Sequence, residues 1–117
     1  MILLSSARKK FIDNLKVKGR ADATIIAYSK DIEQLVDYLE RSNLLNAHEI
    51  SRVNIDNFLK HLSDANYTKK TISRKINAIK TFFKHLTDEK LIESDPAQYV
   101  QHPKLEQNAP RILSKIE

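Results

Sequence analysis

Thr68-Lys-Lys-Thr-Ile-Ser-Arg-Lys-Ile-Asn-Ala-Ile-Lys-Thr-Phe-Phe-Lys-His-Leu86 is the most informative segment of this sequence. Apolar residues recur in it every three or four positions, the spacing that stacks side chains on one face of an α-helix. These residues are Ile72, Ile76, Ile79, Phe83 and Leu86. The opposite face carries Lys70, Arg74, Asn77, Thr81 and Lys84. No Asp or Glu occurs from Thr68 to Thr87, so the pattern predicts a helix with a buried side, a basic side and Thr68 as its N-cap.

The basic side of this helix has two interpretations. A Lys-rich helix face is often simply a solvated surface. Alternatively, an α-helix fits the major groove of DNA, where Lys and Arg neutralise phosphates and Arg or Asn read base edges. The absence of acidic residues favours a nucleic-acid contact face, and the first interpretation stays open.

The composition of the chain indicates a folded helical protein. Its 117 residues suit one domain, and one Gly with three Pro argue against a turn-rich β fold. No apolar run is long enough to cross a bilayer, so we expect no membrane contact. Without cysteine there can be no disulfide, which favours a cytoplasmic location. The net charge of +5 and the pI near 9.5 favour an anionic partner.

The first half of the chain predicts two helices, over residues 5–17 and 22–41. The buried face of the first is Phe11, Ile12 and Leu15. Gly19 follows it, where a helix end often needs a left-handed residue, and Asp22 can cap the second helix. The apolar stripe of the second is Ile25, Tyr28, Ile32, Leu35, Val36 and Leu39. Its far half carries carboxylates that we interpret as a solvated face, namely Asp31, Glu33 and Asp37.

The rest of the chain predicts a third helix and a polar tail. Asn54 has the chemistry of an N-cap for a helix reaching about residue 65. Pro96 suits the first position of a brief terminal helix, with Asp95 as its cap. We therefore predict an all-α fold, a compact bundle of four main helices plus a short C-terminal helix. The domain should occupy residues 1–100, followed by an extended linker over 101–117 that reaches a domain boundary.

Residues that support catalysis or cofactor binding are not grouped in this sequence. No two of the four His residues are four positions apart, and the pairs His85–Glu89 and His102–Glu106 have no third ligand nearby. One Gly cannot build a phosphate-binding loop. No nucleophile stands beside a base. We expect a chain that is not an enzyme by itself and that has no metal, no cofactor and no small-molecule substrate.

Several motifs together resemble a known family. Residues 71–83 of the basic segment, then Leu86, Ile92 and Asp95-Pro96, are similar to the N-terminal core-binding (SAM-like) domain of tyrosine recombinases, the phage integrases and Xer-type enzymes. Thr24-Ile-Ile-Ala-Tyr28 followed by Asp31 resembles the second-helix motif of that domain. Residues 103–104 and 110–117 resemble the linker and the opening of the family's catalytic domain.

This resemblance implies a double-stranded DNA-binding domain that clamps one face of a recombination half-site and is non-catalytic in isolation. Other recombinase protomers would be partners of the full-length protein, and the catalytic domain would lie beyond the linker. The residues implied to face DNA from the second helix are Thr24, Ile26, Ala27 and Lys30. Those implied at the fourth helix are Lys70, Thr71, Arg74 and Asn77, and we predict Thr68, Lys69 and Lys84 as further DNA-binding residues of that helix. Arg74 and Asn77 would read bases, and the lysines would contact phosphates.

The sequence departs from the family pattern at one position and leaves one alternative function open. Ala21 stands where the family often has Ser, which removes a hydroxyl–phosphate contact. None of the four Tyr residues is expected to be the nucleophile, because the family's catalytic residues belong to the other domain. The alternative function is a helical protein–protein interaction module that docks an acidic partner.

Overall fold

The computed structural model describes residues 2–103 and is all-helical over that range. Its four α-helices are α1 (Leu4–Val17), α2 (Asp22–Arg41), α3 (Arg52–Asp64) and α4 (Lys69–Asp88). A short 3-10 helix, Ala47–Glu49, lies between α2 and α3. Leu3 pairs with Asn46 in an isolated β-bridge that fixes the start of the chain to this connection. The prediction of an all-α bundle of four main helices is confirmed.

The core is built around α4, because that helix buries residues against all three others. Phe82 and Phe83 are fully buried and meet edge to face, with ring centroids 5.0 Å apart. Phe11 of α1 meets Phe82 at 5.4 Å and stacks on Tyr28 of α2 at 6.2 Å. Phe58 anchors α3 and is likewise fully buried. The apolar face of α4 that the sequence predicts therefore packs against the other helices, and the opposite face of α4 lies on the surface of the bundle.

Side-chain caps fix the starts of α3 and α4. Thr68 Oγ1 accepts a hydrogen bond from the Thr71 amide at 3.1 Å, as its predicted cap role requires. The prediction that Asn54 caps α3 is wrong, because Ser51 is the N-cap. Asn54 is the third residue of the helix, and its Oδ1 accepts from the Ser51 amide at 2.8 Å. The pair forms a reciprocal capping box, so Asn54 supports the helix start from inside the helix. The prediction that Asp22 caps α2 is also wrong, because Asp22 is the first residue of that helix and the N-cap is Ala21, which makes no side-chain capping bond.

All four α-helices end in the same way. A residue with positive φ follows each helix, and its amide bonds back into the last turn. These residues are Gly19, Asn43, Asn66 and Lys90, with φ of 72°, 65°, 70° and 59°. The next amide along reaches the carbonyl five residues back, as in Leu91 to Leu86 at 2.9 Å. This is the Schellman arrangement, and Gly19 adopts the left-handed conformation predicted for it.

The segment after α4 folds back along that helix instead of forming the predicted short C-terminal helix. Residues 96–99 form a turn, in which Asp95 Oδ1 accepts from the Ala97 amide at 2.8 Å. Ala97 and Val100 are buried against the bundle. The turn is not extended into a helix because Val100 is drawn into the core and its carbonyl accepts from Lys80 Nζ at 2.6 Å. Of the predicted linker over 101–117, residues 104–117 lie outside the described range.

Candidate nucleic-acid interface

The side of α4 that faces away from the core is a row of polar and basic side chains. We call it the α4 outer face, and it consists of Lys70, Arg74, Asn77, Thr81 and Lys84. Thr81 is half-buried and the other four are exposed. At 1.5 Å of rise per residue, the row from Lys70 to Lys84 is about 21 Å long. No carboxylate lies on α4 before its last residue, Asp88, so within the helix this row is uninterrupted by negative charge.

Arg74 lies at the middle of this face and is partly held by α2. Its Nη2 donates to Asp31 Oδ1 at 3.0 Å, while the Arg74 side chain stays 57% exposed. Asp31 is 2% exposed, so the interpretation of this carboxylate as part of a solvated face is wrong. Glu33 and Asp37, in contrast, are exposed as that interpretation requires. Asp31 is buried because it lies on the side of α2 that packs against α4.

Lys75 is a second partner of Asp31 and was missed by sequence reasoning. Its Nζ donates to the same Oδ1 at 2.9 Å, and its side chain is only 8% exposed. Lys75 Nζ also lies 5.5 Å from the ring centroid of Tyr67, whose hydroxyl accepts from Gln34 at 3.0 Å. The available signal was its position, three residues after Ile72 and four before Ile79, which places it on the buried stripe. A buried lysine requires a buried carboxylate, and Asp31 supplies it.

Two of the predicted residues at the start of α4, Thr68 and Thr71, stabilise the first turn of the helix. Thr68 Oγ1 donates to Thr71 Oγ1 at 3.0 Å in addition to its capping bond. Thr68 is exposed and Thr71 is half-buried. Lys69 and Lys70 are exposed beside them in the first turn. The amino end of α4 carries the positive end of the helix dipole, which adds to the charge of these two lysines.

The predicted residues of α2 lie beside the second half of α4, because the two helices run in opposite directions. Gln34 contacts Tyr67 just before α4 begins, and Asp31 contacts Lys75 within it. Further along, Phe11 of α1 contacts both Tyr28 of α2 and Phe82 of α4. The predicted α2 set is therefore far from the first turn of α4. In that set Ile26 is 56% exposed, Lys30 is exposed, and Thr24 and Ala27 are half-buried.

Lys84 marks the other end of the α4 outer face. It pairs with Asp88 at 3.1 Å, and both side chains are more than half exposed. A solvent-exposed i,i+4 pair of this kind contributes only about 0.3–0.5 kcal/mol. Lys84 can therefore exchange this carboxylate for another anion at little cost.

The returning segment borders the α4 outer face on the side opposite α2. Ser73 Oγ and His102 Nδ1 are 2.5 Å apart, and Ser73 is one residue from Arg74. Sequence reasoning placed residue 102 in an extended tether and gave no contact for it. The exposed row of α4 is thus bounded by α2 on one side and by residues 100–102 on the other.

Within residues 2–103, no group of three or more His, Asp or Glu side chains is placed to hold a metal ion. Among the helices described, none is both long enough and apolar enough to cross a membrane. Burial lowers the pKa of His85, with Glu89 and Asp88 opposing and Lys18 reinforcing the shift. His85 lies against Phe11 at 5.8 Å between ring centroids, so it belongs to the edge of the core.

Comparison with known proteins shows one consistent similarity. The family model described as "Phage integrase, N-terminal SAM-like domain" matches residues 9–90. The tyrosine recombinase XerC of Bacillus subtilis (strain 168) is 33% identical over 110 residues, which cover 93% of this chain and 36% of that protein. XerD of Oceanobacillus iheyensis is 31% identical over 117 residues, covering 98% of this chain and 39% of that protein. The chain thus spans about a third of the length of the curated relatives it matches.

A solved structure shares the fold. It is the N-terminal domain of a phage integrase/site-specific recombinase from Haloarcula marismortui, with a TM-score of 0.81. The superposition covers 87% of this chain and 97% of that one at 16% identity. At that identity the likeness shows the fold, and the residues of the α4 outer face must be argued from their own geometry.

Proposed function

From the premise that this chain belongs to the family of phage integrase N-terminal SAM-like domains, we propose that it binds double-stranded DNA as the core-binding domain of a tyrosine recombinase. In this proposal it clamps one face of a recombination half-site and is non-catalytic by itself. Strand exchange and contacts with other protomers would belong to a longer protein. The cytoplasm would be its location.

The α4 outer face is the observation that carries this proposal. Lys70 and Lys84 are about 21 Å apart, which is wider than the roughly 12 Å major groove. A helix laid across the groove can therefore place one lysine near each phosphate strand. Arg74 and Asn77 lie between them, where they would meet base edges instead of phosphates.

The residue types between the two lysines support sequence recognition. Arginine pairs in bidentate fashion with guanine and asparagine with adenine, and one good pair contributes about 1–3 kcal/mol of discrimination. Arg74 and Asn77 are both exposed, and they are three residues apart on one side of the helix. Lys30 and Ile26 would reach the duplex beside the second half of α4. A small module with so few contacts should bind random DNA weakly, with Kd of roughly 10⁻⁴–10⁻⁶ M.

The tyrosines of this chain support a non-catalytic role. Tyr28 stacks on Phe11, and Tyr38 packs against Phe58 at 5.2 Å between ring centroids. Tyr67 accepts the Gln34 hydrogen bond, and Tyr99 is 72% exposed on the turn after α4. Each tyrosine thus has a packing or surface position, and the proposal assigns strand cleavage to another domain of a longer protein.

Titration with duplex DNA, followed by backbone amide NMR, tests the proposed function. We expect shifts along the α4 outer face and at residues 24–30 of α2, and the shifts should diminish as salt is added. Shifts confined to α3, or to the acidic half of α2 around Glu33 and Asp37, would contradict the proposal. That outcome would favour the alternative of a protein-interaction module.

A further inference from the structure

We propose that Asp31 is a positioning residue that holds the Arg74 guanidinium over the seam between α2 and α4 for base readout. This inference rests on the proposed DNA binding and deepens it. It assigns to a buried acidic residue a part in sequence discrimination, although no carboxylate was expected at the interface.

Arg74 is not needed to neutralise Asp31. Lys75 Nζ lies 2.9 Å from Asp31 Oδ1, and both side chains are almost fully buried. This one pair already gives the buried carboxylate a buried countercharge. Arg74 reaches the same oxygen at 3.0 Å while most of its own side chain stays in solvent. The contact therefore matters more for Arg74, which gains a fixed position, than for Asp31, which is already paired.

Most N–H donors of Arg74 remain available after it has bonded to Asp31. A guanidinium has five N–H donors in a rigid plane, and the contact with Asp31 uses one of them at Nη2. The others stay available on the exposed part of the group. Because the guanidinium plane is rigid, fixing one nitrogen restricts the direction of the remaining donors. A bidentate contact with a base needs such a restricted direction, whereas a phosphate contact does not.

The two cations share one oxygen of the carboxylate. Asp31 Oδ2 is buried and has no hydrogen-bond partner among the described residues. Since a carboxylate offers two acceptor oxygens, a lack of acceptors does not force the two cations onto the same atom. Here both cations converge on Oδ1, one from inside the bundle and one from the DNA-facing side. Asp31 thus links the core to the α4 outer face through a single atom.

The negative charge of Asp31 should also limit nonspecific binding. A phosphate that approaches Arg74 meets a guanidinium whose charge is already partly neutralised by Asp31, so Arg74 gains less from a random backbone contact than an unpaired arginine would. A base edge can use the donors that Asp31 leaves available without displacing it. The arrangement favours discrimination between sequences at the expense of overall affinity.

The test compares variants on two DNA probes. The first probe is a duplex that the wild-type protein selects from a library of randomised duplexes, and the second is the unselected library. We measure discrimination as the Kd for the unselected library divided by the Kd for the selected duplex. For Asp31→Asn, which keeps the side-chain shape, we expect this ratio to fall about tenfold, within the range that one arginine–base pair provides. Affinity for the unselected library should stay the same or increase, because a negative charge is lost.

Three further variants separate positioning from structural damage. Arg74→Ala should lose the same discrimination, and the double variant Asp31→Asn/Arg74→Ala should lose no more, since both act through one contact. Lys75→Met disturbs the same buried cluster but keeps the Asp31–Arg74 pair. It should therefore retain the wild-type ratio. A Lys75→Met variant that loses as much discrimination as Asp31→Asn would overturn the inference in favour of a general packing effect.

A measurement on the protein without DNA keeps the test decisive if Asp31→Asn fails to fold. The heteronuclear NOE of the arginine side-chain Nε–H groups should show Arg74 as ordered and exposed Arg41 as mobile. Equal mobility of the two would overturn the inference. A wild-type protein that selects no duplex overturns the proposed function as well, whereas undiminished discrimination in Asp31→Asn overturns the positioning role alone.

Discussion

At the scale of single residues, His85 couples protonation to folding. Its pKa lies below its usual value because the ring loses water where it packs at the edge of the core. The unfolded chain consequently takes up this proton at a higher pH than the folded protein does. As pH falls below about 6.5, the unfolded state binds more protons, and stability decreases until the folded-state pKa is passed.

The expected result is a pH dependence that His85→Gln reduces. The free energy of unfolding of the wild type should fall between about pH 7.5 and about pH 5, and the variant should lose less over that interval. Chemical denaturation at the two pH values measures the free energy of unfolding of the wild type and of the variant. Exposed His48→Gln is the matched control and should keep the wild-type dependence. Identical pH profiles for the wild type and His85→Gln would contradict the coupling of His85 protonation to folding.

Single residues also show where sequence reasoning reaches its limit. The exposure of Lys70, Arg74 and Asn77 followed from helical periodicity alone, because all three lie opposite the apolar stripe. Lys75 lies on the apolar stripe of its own helix, so periodicity could have indicated its burial, but not that Asp31 of α2 would be its partner. Periodicity within one helix cannot show which charges on two helices will meet. The part of the site that periodicity missed is the part that connects α2 to α4.

At the scale of the helices, the residues in the left-handed position after each helix differ in how well they tolerate that conformation. The left-handed position after a helix costs little for Gly19 and is tolerated by Asn43 and Asn66, but Lys90 adopts φ of 59° without either advantage. We expect Lys90→Gly to raise the free energy of unfolding by about 1 kcal/mol. Lys60→Gly, in the middle of α3, should lower it by about 1 kcal/mol. Urea denaturation measures both, and a loss of stability in Lys90→Gly would be contrary to this account.

The lysines of α4 should make the affinity for DNA depend on salt concentration. If Lys70 contacts a phosphate, Lys70→Gln should weaken binding to all duplex sequences about equally and reduce the slope of log K against log salt by about 1. Lys60→Gln removes the same charge from α3, which is outside the proposed interface, and should leave the slope nearly unchanged. Fluorescence anisotropy with a labelled random duplex at several salt concentrations gives the slopes. Equal slopes for wild type and Lys70→Gln would remove Lys70 from the interface.

Helix existence was predicted more successfully than helix ends. The bounds of α2 match the predicted residues, and α1 begins one residue earlier than predicted. The start of α3 was misplaced because Ser51 and Asn54 can each cap a helix, and only the reciprocal bonds distinguish the cap from its partner. The brief helix at Pro96 had correct local signals, but burial of Val100 determined the outcome. Local residue chemistry therefore indicated where helices could begin or form, and tertiary packing and reciprocal hydrogen bonds determined which of these possibilities the structure adopts.

At the scale of the whole molecule, the folded unit extends past the segment that matches the family. The match ends at residue 90, whereas Val100 and Ala97 are fully buried and His102 contacts Ser73. We expect a protein that ends at Ser94 to be less stable than one that ends at Pro103, by about 2–3 kcal/mol, since a buried Val alone contributes about 1.5–3 kcal/mol. Chemical denaturation of the two proteins measures the difference.

A point variant gives the control for this truncation. Val100→Ala in the longer protein should account for a large part of the loss, about 2 kcal/mol, because it removes the buried side chain but keeps the backbone bond to Lys80. Equal stability of the two truncated proteins would mean that residues 95–103 do not contribute to the fold.

The bond from Lys80 to the Val100 carbonyl and the contact of His102 with Ser73 also determine where the polypeptide departs. The last described residues lie on the flank of α4 that carries Ser73, one residue from Arg74 of the α4 outer face. In the proposed complex, a polypeptide continuing from that point would not have to travel around the bundle to reach the bound duplex. Encirclement of the double helix by two linked domains, as the proposed function requires, would then need only a short connection.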